Sequence, residues 1–168
     1  MKPLIYGLMG LCLLTIGLSL FACKTEAVTG TDFSGTWKAD LDRSRLVDGA
    51  PNPISWTVII QHNQHRLMRT ETFVGQDGKA SGATMSFTTD GKENRNLVGD
   101  RELITKCRWE GPSLIIEGVM KLGPNEQAVW KEKLTLSPDG GSLHATSTVI
   151  FPGAQPHDAD VYLERSKK

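Results

Sequence analysis

From Phe33 onward, short segments in which apolar and polar residues alternate are separated by turn residues about every 8–12 positions. Alternation of period two marks a strand with one face buried. No stretch holds the 3.6-residue period of an amphipathic helix. The first strand opens at Gly35, where Trp37, Ala39 and Leu41 alternate with Lys38, Asp40 and Asp42. A loop over 46–53 follows, because Asp48-Gly49-Ala50-Pro51-Asn52-Pro53 combines turn formers with two prolines that cannot donate to a central ladder. The second strand, about 54–61, carries Ile54, Trp56, Val58 and Ile60 on one face, and in the third Leu67, Arg69, Glu71 and Phe73 share a face. Ala83, Met85 and Phe87 alternate in a fourth, between Gly75-Gln76-Asp77-Gly78 and Asp90-Gly91. A weaker strand over 93–98 precedes strands near 102–109, 114–120, 128–136, 143–151 and 160–165. Ser137-Pro138-Asp139-Gly140-Gly141 is the clearest turn, with proline preset for the first corner and glycine free to take positive φ.

Consecutive strands joined by short turns pair antiparallel as a meander. With no helix to cover a sheet face, closing the sheet on itself removes its adhesive edges. The pattern predicts an all-β fold, an antiparallel up-and-down barrel of about 8–10 strands, in preference to a sandwich.

The first residues have a different character. Residues 4–22 are apolar apart from Thr15 and Ser19, follow Lys2 and end on a small residue, which is the layout of an export signal. An uncleaved membrane anchor is the competing reading, for which the run is marginal in length. Leu20-Phe21-Ala22-Cys23 resembles the lipobox of bacterial lipoproteins. The resemblance implies cleavage before Cys23 and acylation of that residue. Lys24 stands where an aspartate marks inner-membrane retention in enteric bacteria. The expected organisation is a signal peptide over 1–22, a lipidated flexible tether over 23–32 and a barrel over 33–168. The expected place is the bacterial cell envelope, on the outer membrane and facing the periplasm, with the membrane held as a partner through Cys23.

Phe33-Ser34-Gly35-Thr36-Trp37 resembles the Gly-x-Trp motif of lipocalin and calycin barrels. There the glycine permits a tight lead-in, the tryptophan plugs the closed end, and an arginine from near the chain's end stacks on the ring. Arg165 is the matching position, so Gly35, Trp37 and Arg165 are the implied barrel-closing residues. Trp109-Glu110-Gly111 and Leu136-Ser137-Pro138-Asp139-Gly140 resemble turns of small lipocalin-like domains in bacterial exported proteins. A Thr-Asp-Tyr segment of the lipocalin kind is missing, and the sequence ends just after its last strand with no flanking helix, which makes the chain lipocalin-like. The resemblance implies a cup able to hold an apolar molecule.

Charge and candidate chemistry narrow the function classes. Nineteen basic residues balance 19 acidic ones, interspersed along the chain, which argues against a nucleic-acid surface. Of three cysteines, Cys12 lies in the signal and Cys23 is assigned to lipid. Cys107 is left without an intramolecular partner, on the same face as Leu103 and Trp109, where it reads as a small buried hydrophobe rather than a nucleophile. His62 and His65 bracket a hairpin tip and His157 stands near Asp158 and Asp160. A structural zinc site usually needs four ligands, so these histidines read as solvated loop residues, and no metal or cofactor is expected. Neither a Gly-x-Ser-x-Gly elbow nor a phosphate-cradling glycine loop occurs, and no enzymatic activity is expected.

Arg69 and Glu71 lie between Leu67 and Phe73, and Glu132 between Trp130 and Leu134. Charges inside a barrel must pair, bind a ligand or meet water; the alternative is that these faces point outward. The leading functional reading is a lipid-anchored envelope protein that holds a small apolar or amphipathic ligand. Its expected lining is Trp56, Phe73, Phe87, Trp109 and Trp130, with Arg69, Glu71 and Glu132 as internal polar contacts. The alternative is a barrel that binds or inhibits another envelope protein through rim loops such as Val47 to Ile54. A hollow interior favours the first and a filled one the second.

Overall fold

The computed structural model describes residues 31–47 and 52–167; the segment read as a signal, Cys23 and Asp48-Gly49-Ala50-Pro51 of the expected loop lie outside them. Ten strands follow one another: β1 (Gly35–Ala39), β2 (Ser55–Asn63), β3 (Arg66–Val74), β4 (Ala80–Thr88), β5 (Glu93–Val98), β6 (Arg101–Glu110), β7 (Ser113–Lys121), β8 (Gln127–Leu136), β9 (Ser142–Ile150) and β10 (His157–Arg165). Hairpins link neighbours into one antiparallel sheet, ordered β4-β3-β2-β1-β10-β9-β8-β7-β6-β5. Among the described residues only the β1–β10 pairing joins strands far apart in sequence, with Trp37 opposite Arg165.

The two edge strands, β4 and β5, are consecutive in the chain, so the sheet has curled until its edges meet. Side chains replace the missing ladder there. Asn94 Oδ1 accepts hydrogen bonds from the Thr88 backbone N–H at 2.7 Å and from Thr88 Oγ1 at 3.0 Å. Asn96 Oδ1 accepts from Ser86 N–H at 2.7 Å and its Nδ2 donates to Ser86 O at 3.0 Å. The result is a nearly closed, helix-free barrel among the described residues. Close wall curvature also needs Gly118 in β7, because a Cβ at that position would stand 1.9 Å from the Ile104 carbonyl oxygen. Gly118 is paired with Trp130, so the missing side chain leaves room beside the indole.

The alternation fills one half of the barrel. Phe33, Trp37, Leu67, Phe87, Leu103 and Leu114 are wholly buried there. Several boundaries differ from the sequence expectation, three of them with a local cause or consequence. β1 stops at Ala39, so Leu41 leaves the strand alternation: Asp40 Oδ1 accepts from Arg43 N–H and Ser44 Oγ donates to Asp40 O, folding 40–44 into a turn. β9 closes at Ile150, one residue short of Phe151. β10 begins at His157, pairing with Val149, and Thr148 Oγ1 donates to Asp158 Oδ1 at 2.6 Å. His157 is thus a ladder residue and not a loop histidine.

Candidate ligand-binding cavity

The closed end is organised by the lead-in to β1. Trp37 Nε1 donates to Phe33 O at 3.0 Å, which satisfies the indole where no water reaches it. The Arg165 guanidinium lies over the Trp37 ring, its Cζ 4.2 Å from the centroid. Arg165 Nη1 donates to Ser34 O at 2.6 Å and Nε to Gly140 O at 2.8 Å. One side chain thereby fastens the start of β1 to the β8–β9 turn. Gly35 sits directly beneath, at φ 151°, where a Cβ would approach Arg165 Nη1 to 2.6 Å. Glycine is required there on conformational and steric grounds.

His62, expected in solvent, instead completes this closed end. Two residues beyond inward-facing Ile60 on β2, it keeps the same parity; its side chain is 3% exposed and its ring lies 5.8 Å from Phe33 and 5.9 Å from Trp109. Its Nδ1 accepts from the Phe33 backbone N–H, and burial holds its pKa below the ordinary value of 6.5 against a smaller opposing effect of Asp32. His65 occupies the β2–β3 turn, exposed, so the two imidazoles do not share a metal edge. Among the described residues no group of three His, Cys, Asp or Glu is placed to hold a metal.

The other half of the barrel is hollow. A cavity of about 560 Å³ opens between β2, β3, β9, β10 and the loop after β1, with Leu46, Val47, Pro53, Trp56, Phe73 and Val161 among its walls. It continues toward β4, β5 and β8 into a space of about 380 Å³ that Trp130 and Met120 also border. This size is within the range of small-molecule sites. The mouth carries Asp77 and Lys79. Phe87 and Trp109 do not line it. Phe87 is wholly buried in the packed half, and Trp109 stacks on Phe33 at 5.9 Å with the ring planes 5° apart.

At the floor of the cavity the charges meet. Arg69 Nη1 donates to both Glu132 oxygens, at 2.9 and 2.8 Å, across 63 residues of sequence. Arg69 Nε lies 2.8 Å from Glu71 Oε1, a close ion pair without hydrogen-bond alignment. The Arg69, Glu71 and Glu132 side chains are 4, 11 and 9% exposed, so all three face inward. Burial pushes Glu71 upward from the carboxylate range; Arg69 opposes that shift and Glu132 adds to it. The indole nitrogens of Trp56 and Trp130 are buried without a partner. A donor left so costs about 1–3 kcal/mol unless a water reaches it.

Cys107 lies in the packed half below Glu132, fully buried. Burial, with Glu132 adding and Arg69 opposing, pushes its thiol up to about 12, which removes thiolate chemistry near neutrality.

No protein-family model and no curated protein matches the chain. Solved structures match it by shape. Zebrafish ileal bile acid-binding protein complexed with cholic acid superposes with a TM-score of 0.56 at 19% identity, over 80% of this chain and 98% of that one. Lipid binding protein 8 of Caenorhabditis elegans gives 0.56 at 15% identity, over 80% and 95%. Secretory abundant heat soluble protein 4 of Ramazzottius varieornatus gives 0.54 at 15% identity, over 83% and 98%. At this identity the likeness establishes the fold, a calycin-like barrel of antiparallel strands.

Proposed function

We propose that this chain is a lipoprotein of the bacterial cell envelope whose barrel holds a small apolar or amphipathic ligand in its open half. The observation that carries the reading is the division of the barrel into a packed half and a hollow half of about 560 Å³ walled by apolar and aromatic side chains. A stability-only barrel would gain from filling that space, since each lost packing contact is unfavourable. Two of the structurally similar proteins have names that refer to bile-acid and lipid binding, in keeping with this use of the interior. The rim-binding alternative is less supported: Val47, the first residue of the loop Val47 to Ile54 expected at the rim, borders the cavity.

The anchor belongs to this proposal. Thr31 Oγ1 donates to Pro112 O, in the β6–β7 turn at the closed end. Acylation at Cys23 would therefore attach the tether nearer the closed end of the barrel than its mouth. Mass spectrometry of membrane fractions should find the acyl modification on Cys23 of the wild type and none in Cys23→Ser, while an unmodified soluble wild type would contradict the anchor. For the cavity, titration of residues 23–168 carrying Cys23→Ser with alkyl amphiphiles of several lengths and headgroups, followed by tryptophan emission, should give binding tighter than about 100 μM, equivalent to roughly 5.5 kcal/mol. Trp130→Ala should weaken it. Failure of every chain length and headgroup at that threshold would contradict the proposal.

A further inference from the structure

The headgroup preferred by the cavity follows from its charge count. Inside it lie one guanidinium, Arg69, and two carboxylates, Glu71 and Glu132. Arg69 is already engaged by both, with Nη1 on Glu132 and Nε against Glu71. With both acids ionised the cluster carries one negative charge in excess; with Glu71 protonated, the form burial favours in the empty protein, it is neutral. Asp77 and Lys79 at the mouth add a balanced pair, so among the described lining residues no further cation adds to Arg69. An incoming carboxylate would meet Glu132 and Glu71 with that guanidinium already paired, in surroundings where charges act more strongly than in water. A positive headgroup would complete the cluster. The walls beside it are also suited to a cation: Trp56, Phe73 and Trp130 border the same space, and Trp56 and Phe73 pack with ring centroids 4.8 Å apart. Carboxylates combined with aromatic faces are the chemistry that recognises organic ammonium ions.

Building on the ligand-binding reading, we infer that the cavity selects amphiphiles with a positively charged amine head, Glu71 and Glu132 receiving the ammonium and the apolar tail lying toward Leu46, Val47 and Val161. Burial, which favours protonation of Glu71 in the empty protein, makes that residue the flexible member of the cluster: an arriving ammonium favours its ionised form.

The test uses residues 23–168 carrying Cys23→Ser, so that neither an acyl group nor the apolar run over 4–22 competes, and three probes sharing one tail, dodecylamine, dodecanol and dodecanoate, below their micellar concentrations at pH 7.5. Dodecylamine should bind at least tenfold tighter than dodecanoate, with dodecanol between. In Glu71→Gln and in Glu132→Gln, each of which leaves Arg69 one carboxylate, the preference should fall below threefold; if Glu132→Gln fails to fold, Glu71→Gln decides. Dodecanoate binding as tightly as dodecylamine would overturn the inference and leave the cavity reading standing. A preference for amine unchanged in the folded variants would also overturn it, by placing the attraction outside the cluster. Absence of binding by all three probes would defeat the cavity reading itself, and this inference with it.

Discussion

Trp37, Arg165 and Gly35 show how a few residues close a barrel. The ring is plugged by neighbours, satisfied by Phe33 O and covered by the guanidinium, so Trp37 and Arg165 act on each other's energetics. A double-mutant cycle of Trp37→Phe with Arg165→Lys should give non-additivity above roughly 0.5 kcal/mol, because lysine keeps the charge but loses the planar stack and the two carbonyl bonds; additive losses would contradict the contact. His62 offers a pH test. Burial disfavours its protonation in the folded chain, while the unfolded chain takes up a proton below about 6.5. Below that pH the unfolded state binds more protons, so stability falls as pH drops through and under 6.5. His62→Phe removes this term. Glu71, shifted in the opposite sense, is present in both proteins and cancels in the comparison. The wild type should lose more stability than His62→Phe between pH 7.5 and 5.5, and equal losses would contradict a buried neutral imidazole.

At the scale of elements, strands were legible where alternation was strong and turns carried glycine or proline. They were misjudged where a polar residue did structural work. His62 reads as polar and therefore as loop, although its parity with Ile60 already directs it inward. β5 looks weak because Asn94 and Asn96 are poor strand residues by propensity; the structure uses their amides, which no apolar side chain could replace, to join β4 to β5. Nothing in a one-dimensional pattern distinguishes a bridging amide from a solvated one. The closure is testable: in Asn94→Ala the Thr88 amide, and in Asn96→Ala the Ser86 amide, should lose hydrogen-exchange protection, with a stability loss of about 1–3 kcal/mol for each donor left unpaired. Amides that exchange as freely in the wild type as in the variants would show that the seam is open.

For the whole molecule, the periodicity yielded a closed all-β meander but not the depth to which it is filled. That depends on which inward residues stack along the barrel axis. Phe87 and Trp109 share the inward parity of Phe73 and Trp130, yet lie on the packed side of the boundary, a height along the axis that register and shear determine. The meeting of Arg69 with Glu132 was hidden for the same reason, since only closure brings β3 and β8 to face each other across the interior. The four tryptophans divide along this boundary, with Trp37 and Trp109 at the closed end and Trp56 and Trp130 on the cavity, and that division makes the central claim directly measurable. In a ¹H–¹⁵N spectrum of residues 23–168 carrying Cys23→Ser, titrated with whichever of dodecylamine, dodecanol and dodecanoate binds most tightly, the indole Nε1–H signals of Trp56 and Trp130 should shift while those of Trp37 and Trp109 stay in place. Four unmoved signals at saturating probe, or shifts led by Trp37 and Trp109, would contradict a ligand held in the open half of the barrel.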